Sequence, residues 1–262
     1  MSTLDTFRFR CSSLDKLMTE PRSKADKDSG KIGETAKAEC RKLWAAHKWN
    51  RQKMIENKYT KKGNLCEEDA ITLLSSHVKE LLFKNEKRLS NDRIAGTPDT
   101  YIGRSIEDAD ETFDTKCCYD VFTFEDAKQE DSTTYEFQGR GYMELTGAKK
   151  HHVAYCLVNN DFGEIKNLLY RESFKWKNAE IPVWEQIRIV MQHIFDKANF
   201  DKCLFENDIN VNFDENSQAM YNSFIEIPAK ERIHIVTIEK DPLITAKMYT
   251  QLDKCLEYVK TL

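Results

Sequence analysis

GTPDTYIGRSIEDADETFDTKCC, residues 96–118, places an aspartate after a proline at position 99 and an Asp-Thr-Lys tripeptide at positions 114–116. β-Branched and aromatic residues surround both groups, a composition typical of strands. Charged side chains in apolar surroundings are costly unless something binds them. The stretch therefore predicts neighbouring strands whose charged residues serve a purpose beyond packing.

The tripeptide predicts a definite arrangement of side chains. Side chains alternate between the two faces of a strand, so Asp114 and Lys116 share one face, while the side chain of Thr115 turns away and its backbone carbonyl remains available. Asp99 and Asp114, at the ends of neighbouring strands, can bind one divalent cation, because Mg²⁺ prefers oxygen ligands. A cation, its water and an ammonium group together suit phosphodiester hydrolysis. The alternative is a turn aspartate beside a salt-bridged surface strand, since Asp-x-Lys is common in charged chains.

The rest of the chain alternates between helical and strand-like patterns. Helices are predicted at 35–55, 65–83 (entered after a Lys-Lys-Gly-Asn break), 133–147 (ending at Gly147), 162–176, 181–199 and 242–261. Strands are predicted at 92–96, 99–103, 111–118, 151–159 and 231–241. Residues 23–34 are predicted to form a mobile connection. The order predicts an α/β fold with a central mixed β-sheet flanked by helices, in one domain over residues 1–262 with its core at about 60–160.

Composition excludes several classes of protein. A chain of 262 residues with 40% hydrophobic and 11% aromatic residues is long enough to bury a sizeable core. No apolar run reaches the length of a membrane span, and the N-terminal sequence MSTLDTFRFR lacks an apolar signal region, so a cytoplasmic location is predicted. The eight cysteines include no Cys-x-x-Cys pair, which favours free thiols over a zinc or iron–sulfur site.

Charge is distributed unevenly along the chain. The net charge of −4 argues against indiscriminate nucleic-acid binding. Residues 21–62 nevertheless carry 13 Lys and Arg against 5 Asp and Glu, and residues 107–131 carry 2 Lys against 10 Asp and Glu. This asymmetry is consistent with a protein that binds a polyanion close to bound cations. It is equally consistent with two solvated surface faces of opposite charge.

Four short motifs around the opening stretch occur in a recognisable order. They are a Gly-x-x-x-Glu helix, a Pro-Asp strand end, an acid-x-Lys strand and a Tyr-x-x-Gln helix, carried by Gly63 and Glu67, Pro98 and Asp99, Asp114 and Lys116, and Tyr135 and Gln138. Together they resemble the PD-(D/E)XK nuclease superfamily, most closely its phage lambda exonuclease-type (YqaJ-like) branch of viral recombinases. RCSSLDKLMTEPRSK, residues 10–24, resembles the opening of that family, and IHIVTIEKD with the last helix resembles its close. The resemblance implies a restriction-endonuclease-like core with N- and C-terminal helical additions, and it is weakest over residues 160–230.

The resemblance also implies roles for individual residues. Metal would be bound by Asp99, Asp114 and the Thr115 carbonyl, and a second metal by Glu67, for which Glu68 is the rival. Lys116 would orient the attacking water, and Gln138 would position groups beside it. Contacts to DNA would involve Ser13, Arg22, Tyr135 and Arg140, the last facing either DNA or solvent. Many members of the family have Glu where this chain has Asp114, whose shorter side chain would change the metal geometry.

The function that the resemblance implies is a Mg²⁺-dependent deoxyribonuclease, with Mn²⁺ as a substitute. It would degrade double-stranded DNA from its ends, 5′ to 3′, in viral recombination or DNA processing in the host cytoplasm. Members of the branch work with a single-strand annealing protein, and some form ring-shaped trimers around DNA. Two alternatives remain: a nuclease-like protein that binds DNA or another protein without cutting, and a restriction-type endonuclease.

Overall fold

The computed structural model describes residues 4–54, 57–129, 132–176, 180–209 and 213–262. The strands found there are β1 (Phe9–Arg10), β2 (Leu89–Ser90), β3 (Ile94–Gly96), β4 (Thr100–Gly103), β5 (Ala109–Cys117), β6 (Lys150–Cys156) and β7 (Ile233–Glu239). The α-helices are α1 (Leu14–Leu17), α2 (Lys24–Asp28), α3 (Glu34–Lys48), α4 (Lys58–Val78), α5 (Val121–Gln129), α6 (Glu136–Thr146), α7 (Phe162–Ser173), α8 (Val183–Met191), α9 (Lys197–Glu206), α10 (Glu215–Asn222) and α11 (Pro242–Lys260). In these ranges, no helix is long and apolar enough to cross a membrane.

A four-stranded mixed sheet in the order β4-β5-β6-β7 forms the centre of the fold. Strands β5 and β6 run parallel, with Asp114 opposite Val153, and the two outer pairings are antiparallel. A smaller sheet in the order β1-β3-β2 lies apart from it. The predicted α/β fold with a central mixed sheet and flanking helices is therefore confirmed, with the strands divided between two sheets.

The two faces of β5 are buried against different helices. Phe113 on one face packs in a cluster with Cys66 and Leu74 of α4. On the other face, Val153 of the neighbouring strand β6 packs with Met143 of α6. Because Asp114 is opposite Val153 in the parallel pairing, its side chain lies on the face that α6 covers.

Several boundaries differ from the sequence prediction. Helix α4 begins seven residues before the predicted position 65, because the Asn57 side chain accepts hydrogen bonds from the first-turn amides of Tyr59 and Thr60 and the helix continues through Gly63. The predicted helix 181–199 is two helices, α8 and α9, and Asp196 caps the second. The segment 23–34, predicted as a mobile connection, contains helix α2 with Ser23 as its N-cap. The predicted end of α6 at Gly147 is confirmed, with that glycine in the left-handed region at φ +80°.

Gly139 brings α6 close to the sheet, and substituting it tests this packing. A Cβ at this position would lie 2.9 Å from Cγ of the buried His151 ring, whereas a Cβ at Gly63, inside α4, would meet nothing within 4 Å. Gly139→Ala is expected to lower the free energy of unfolding by about 2 kcal/mol because it overpacks the interface. The matched control, Gly63→Ala, is expected to raise it by about 1 kcal/mol through helix propensity. Urea denaturation measures both, and a Gly139→Ala protein as stable as Gly63→Ala would contradict this account of the packing.

Candidate active site

The two predicted carboxylates come together between β4 and β5. Asp99 directly precedes β4, where its backbone amide donates to Phe113 O at 3.1 Å. Asp114 lies within β5, and 3% of its surface is exposed. The Asp99 Oδ2 atom accepts hydrogen bonds from the backbone amide and the hydroxyl of Thr115, at 2.7 and 3.1 Å. These bonds fix Asp99 beside the strand that carries Asp114.

The position of Asp99 beside Asp114 affects the ionisation of Asp99. Burial and then the negative charge of Asp114 raise the pKa of Asp99 to about 7. A bound positive charge would offset the negative charge of both carboxylates. Their electrostatics therefore favour binding of a cation between them.

Lys116 projects from β5 on the same face as Asp114, as its spacing predicts. Its Nζ atom forms an ion pair with Asp114 Oδ2 and lies 4.6 Å from the centroid of the Tyr135 ring. Burial acts to lower the pKa of Lys116, but the carboxylates of Asp114 and Asp99 outweigh it and raise the pKa to about 12. The side chain therefore carries a proton at neutral pH and acts as a hydrogen-bond donor.

Gln138 on the first turn of α6 completes the contacts to Asp114. Its Nε2 group donates to Asp114 Oδ2 at 3.1 Å and to Tyr142 Oη at 3.2 Å. Within the described residues, the contacts to Asp114 and Asp99 both use Oδ2, so the Oδ1 atom of each carboxylate makes no hydrogen bond there. Each acid thus has one oxygen held by the protein and one available to a ligand.

Asp15 fixes the beginning of α6. Its Oδ1 accepts from the amide of Phe137 at 2.9 Å, and its Oδ2 accepts from the amide of Gln138 at 3.2 Å. These amides belong to the first turn of a helix, where backbone donors lack partners within the helix. A residue 123 positions away in sequence therefore caps the helix that carries Gln138.

The partly buried position of Asp15 predicts a pH dependence of stability. Burial, opposed by the two amide hydrogen bonds, raises the pKa of Asp15 from 3.8 to about 6. The folded state consequently binds the proton of Asp15 more tightly than the unfolded state does. The contribution of this proton to the free energy of unfolding is therefore complete below pH 4 and is lost as the pH rises to 6. The difference in unfolding free energy between the wild type and Asp15→Asn should therefore fall by about 2 kcal/mol between pH 4 and pH 7, after allowance for solvent screening. Urea denaturation at several pH values measures it, and parallel curves for the two proteins would contradict the assignment.

Thr115 differs from its expected orientation. The sequence predicted a side chain turned away from the acids, but its hydroxyl donates to Asp99. The difference arises because Asp99 lies at the end of the neighbouring strand, where its carboxylate reaches across to the main chain of β5. The role predicted for the Thr115 carbonyl as a metal ligand stays a prediction.

Glu67 lies on α4, the helix that covers the opposite face of β5 from Gln138. Its Oε2 atom pairs with Lys84 Nζ at 2.7 Å, and its negative charge contributes to raising the pKa of Asp99. In the part of the chain that the structure describes, no group of three or more His, Cys, Asp or Glu side chains is arranged to hold a metal ion. Asp99 and Asp114 therefore form a two-carboxylate site, with Glu67 near it and engaged elsewhere.

The four residues predicted to contact DNA lie in different environments. Ser13 is buried and donates its hydroxyl to Glu39 Oε1 at 2.9 Å, while Arg22 is exposed just before α2. Tyr135 precedes α6, with its ring beside Lys116. Arg140 was expected to face DNA or solvent, but it is buried, donating to Glu136 Oε1 at 2.8 and 3.1 Å and to the carbonyl of Glu239 at 3.3 Å. Arg140 is one residue after Gly139 on α6, and this helix contacts β7. The side chain is therefore buried between α6 and the sheet instead of facing DNA or solvent.

The sequence did not identify four residues that support this site. Asp15 caps α6, and Tyr142 contacts Gln138. Asn85 donates to the carbonyls of Pro98 at 2.9 Å and Asp99 at 2.7 Å. Lys84 pairs with Glu67. Tyr142 could have been found, because it is four residues after Gln138 and so on the same face of the helix. The other three contact the site across long sequence separations, for which the local pattern carries no signal.

Three solved structures that share this fold are described as exonucleases. A phage-related exonuclease from Haemophilus somnus 129PT matches over 97% of this chain and 94% of that one, at 24% identity and a TM-score of 0.66. An alkaline exonuclease, LHK-Exo from Laribacter hongkongensis, matches over 98% and 90% at 11% identity and a TM-score of 0.57. LHK-Exo in complex with dAMP matches over 99% and 91%, at 11% identity and a TM-score of 0.54.

No protein-family model and no curated protein matches the chain. The likeness to the solved structures extends over nearly the whole chain, including residues 160–230, where the sequence resemblance was weakest. It shows that this chain shares the fold of these exonucleases, in agreement with the predicted α/β fold.

Proposed function

We propose that this protein is a metal-dependent deoxyribonuclease that degrades double-stranded DNA from its ends. The observation that carries the proposal is the contact of Asp114 with both Lys116 and Gln138, beside a second carboxylate whose pKa its charge raises. Two adjacent carboxylates, of which Asp114 is buried, together with an ammonium group and an amide, provide the groups that phosphodiester hydrolysis requires.

The residues present fit a divalent cation. Asp99 and Asp114 would hold it through their Oδ1 atoms, with the Thr115 carbonyl as a further ligand, and Mg²⁺ is the favoured ion because it binds through one or two carboxylates and retains waters. When bound, such an ion supplies an activated water and neutralises charge on the phosphate. Mn²⁺ has the same preference for oxygen ligands and is expected to substitute.

The protein's own groups have separable tasks in this proposal. Lys116, protonated with a pKa of about 12, donates to the attacking water or to the phosphate oxygen on which negative charge grows. Gln138 keeps Asp114 in its rotamer, and Tyr142 keeps Gln138 in place. The Thr115 amide and hydroxyl do the same for Asp99.

The exonuclease fold shared with the H. somnus and L. hongkongensis proteins favours attack at DNA ends over internal cleavage. The dAMP bound in one of these structures fits a mononucleotide product of such a reaction. We extend the proposal to 5′-to-3′ degradation in viral DNA recombination or processing, with a single-strand annealing protein as partner and a ring-shaped trimer as the assembly. Glu67 is proposed to serve a second metal after release from Lys84.

A second candidate is a nuclease-like protein that binds DNA or another protein without cutting. It is favoured by the engagement of Glu67 with Lys84 and by the lack of a three-ligand group among the described residues. A catalytically weak protein would keep the fold and the DNA contacts while the second metal site remained incomplete.

One experiment separates these candidates and the restriction-type alternative. Purified protein is incubated with Mg²⁺ and linear duplex DNA carrying a 5′-phosphate, linear DNA without it, or covalently closed circular DNA, and each reaction is repeated with EDTA and with Asp99→Asn. The proposal expects loss of linear DNA alone, faster with the 5′-phosphate and abolished by EDTA or the substitution. Cutting of closed circles would show an endonuclease, and DNA binding without cleavage in Mg²⁺ and Mn²⁺ would show the non-cutting protein.

A further inference from the structure

A cavity of about 370 Å³ lies between the first half of α4 and helix α7. We call it the α4–α7 pocket; it is lined by Lys58, Lys61, Lys62, Leu65, Cys66, Tyr119, Asn160, Asp161, Glu164, Asn167, Leu168, Tyr170 and Arg171. Its volume is within the range of small-molecule sites. Lys62 is five residues before Glu67 on α4, which corresponds to about 7.5 Å along the helix axis, so the pocket is a neighbour of the candidate active site and separate from it.

A buried cation stands at the wall of this pocket. Only 3% of Lys62 is exposed, and its Nζ donates to the carbonyl of Tyr119 at 3.1 Å. An ammonium group has three donors, and one hydrogen bond is all that the described residues provide. Burial lowers the pKa of Lys62 to about 8, so the group is still mainly charged at pH 7. A buried ammonium group with unused hydrogen-bond donors is energetically costly unless a ligand oxygen accepts from them.

Asn160 provides an independent indication of a ligand. It is 5% exposed and lines the same pocket, and its Oδ1 atom has no hydrogen-bond partner among the residues that the structure describes. Its Nδ2 group lies 3.3 Å from Nδ1 of His193, which fixes the amide. Buried polar atoms are nearly always hydrogen-bonded, so this oxygen is suited to accept a hydrogen bond from a ligand.

The remaining lining combines positive charge with aromatic surface. Lys58 Nζ is 4.3 Å from the centroid of the Tyr119 ring, and Arg171 is exposed at the rim beside the exposed Tyr170. Lys61 is neutralised by Glu164 at 2.6 Å. The pocket therefore presents cations that form no ion pair among the described residues, flat rings and an amide acceptor, beside the one further carboxylate of Asp161 that caps α7. Cations, rings and an amide acceptor together accommodate a phosphate, a base face and a base N–H group.

We propose that the α4–α7 pocket binds a nucleotide, with its phosphate on Lys62 and Arg171 and its base between Tyr119, Tyr170 and the Asn160 amide. The nucleotide has two possible sources with the same chemistry, a free mononucleotide or a nucleotide of a single DNA strand. Binding at this pocket needs neither a divalent cation nor cleavage, so it does not depend on the proposed nuclease activity.

Calorimetric titration of the full chain in EDTA tests the proposal, with thymidine 5′-monophosphate, thymidine, inorganic phosphate and the trinucleotide pTpTpT as probes. The monophosphate is expected to bind at least about tenfold more tightly than thymidine or phosphate, because it engages both halves of the pocket. Tighter binding of pTpTpT than of the monophosphate identifies a DNA strand as the source, and equal or weaker binding identifies the free nucleotide. Both results support the site.

Variants locate the binding. Lys62→Met removes the charge and keeps the volume of the buried side chain. Arg171→Ala changes an exposed position, so it tests the pocket even if the Lys62 variant fails to fold. Each substitution is expected to raise the Kd for thymidine 5′-monophosphate about tenfold. Lys166→Ala on α7, exposed and outside the lining, is the matched control and should leave Kd unchanged. Asp99→Asn should also leave it unchanged. Equal affinity for phosphate and monophosphate, unchanged binding in both pocket variants, or loss of binding in Asp99→Asn would each overturn the proposal.

Discussion

Replacing Lys116 with methionine is expected to reduce the rate of DNA cleavage about a thousandfold while the affinity for DNA ends changes little. Methionine fills the space of the lysine stem and still packs beside Tyr135, but it removes the ammonium group that pairs with Asp114. The missing donor acts on the reacting groups more than on the bound substrate, so kcat falls and KM is retained. Steady-state rates on end-labelled duplex DNA measure the first quantity, and filter binding with Ca²⁺ in place of Mg²⁺ measures the second.

Lys128 offers a closely matched control. It also pairs with a carboxylate, that of Glu125 at 2.6 Å, it also lies over an aromatic ring, that of Phe124 at 4.5 Å, and its side chain is 32% exposed against 27% for Lys116. Lys128→Met should therefore leave cleavage unchanged. Equal activity of Lys116→Met and Lys128→Met would show that Lys116 is an ordinary structural ion pair.

Asp114→Asn is expected to have the other large effect, in three measurements. Cleavage should fall about a thousandfold, because the site loses half of its carboxylate charge. The pKa of Asp99 should fall below about 7, since the neighbouring negative charge that helps to raise it is gone. The free energy of unfolding should decrease by about 3 kcal/mol, because Lys116 loses its buried counter-charge. A ¹³C NMR titration of the aspartate carboxyls, cleavage rates and urea denaturation test the three statements.

Two further variants sharpen this prediction. Asp110→Asn, at an exposed position of the same strand, should change none of the three quantities. Asp114→Glu introduces the residue that is commoner at this position in the nuclease family that the sequence resembles, but its extra methylene must displace Gln138, which now contacts Asp114 at 3.1 Å. Activity between that of Asp114→Asn and the wild type is expected. An Asp114→Glu protein faster than the wild type would show that the short aspartate limits the reaction.

Local sequence predicted the elements of the site better than the contacts between them. The spacing of Asp114 and Lys116 predicted a shared face because strand geometry is strictly alternating, and the two side chains do form an ion pair. Gly147 marked the end of α6 because few other residues tolerate its backbone conformation. These predictions succeed since each depends on residues close together in the chain.

The remaining features depend on tertiary contacts. The Lys-Lys-Gly-Asn sequence was interpreted as a break, but the Asn57 cap and the packing of α4 on the sheet outweigh the modest cost of Gly63 in a helix. The burial of Arg140 follows from its neighbours Glu136 and β7, and the pairing of Glu67 with Lys84 joins a helix to the segment before β2. None of these partners could be identified from hydrophobic periodicity, because periodicity indicates which face of a helix or strand is buried but not which residues pack against that face.

The cap that Asp15 places on α6 has a consequence for the order of assembly during synthesis. Helix α1, which carries Asp15, packs in one cluster with Met248, Leu252 and Cys255 of α11, and Gln251 Nε2 donates to the carbonyl of Leu17 at 3.1 Å. Such contacts between distant parts of the chain form late in folding. The first turn of α6, and with it Gln138, should therefore become ordered only after α11 has left the ribosome, so a nascent chain that lacks α11 would also lack an ordered candidate site.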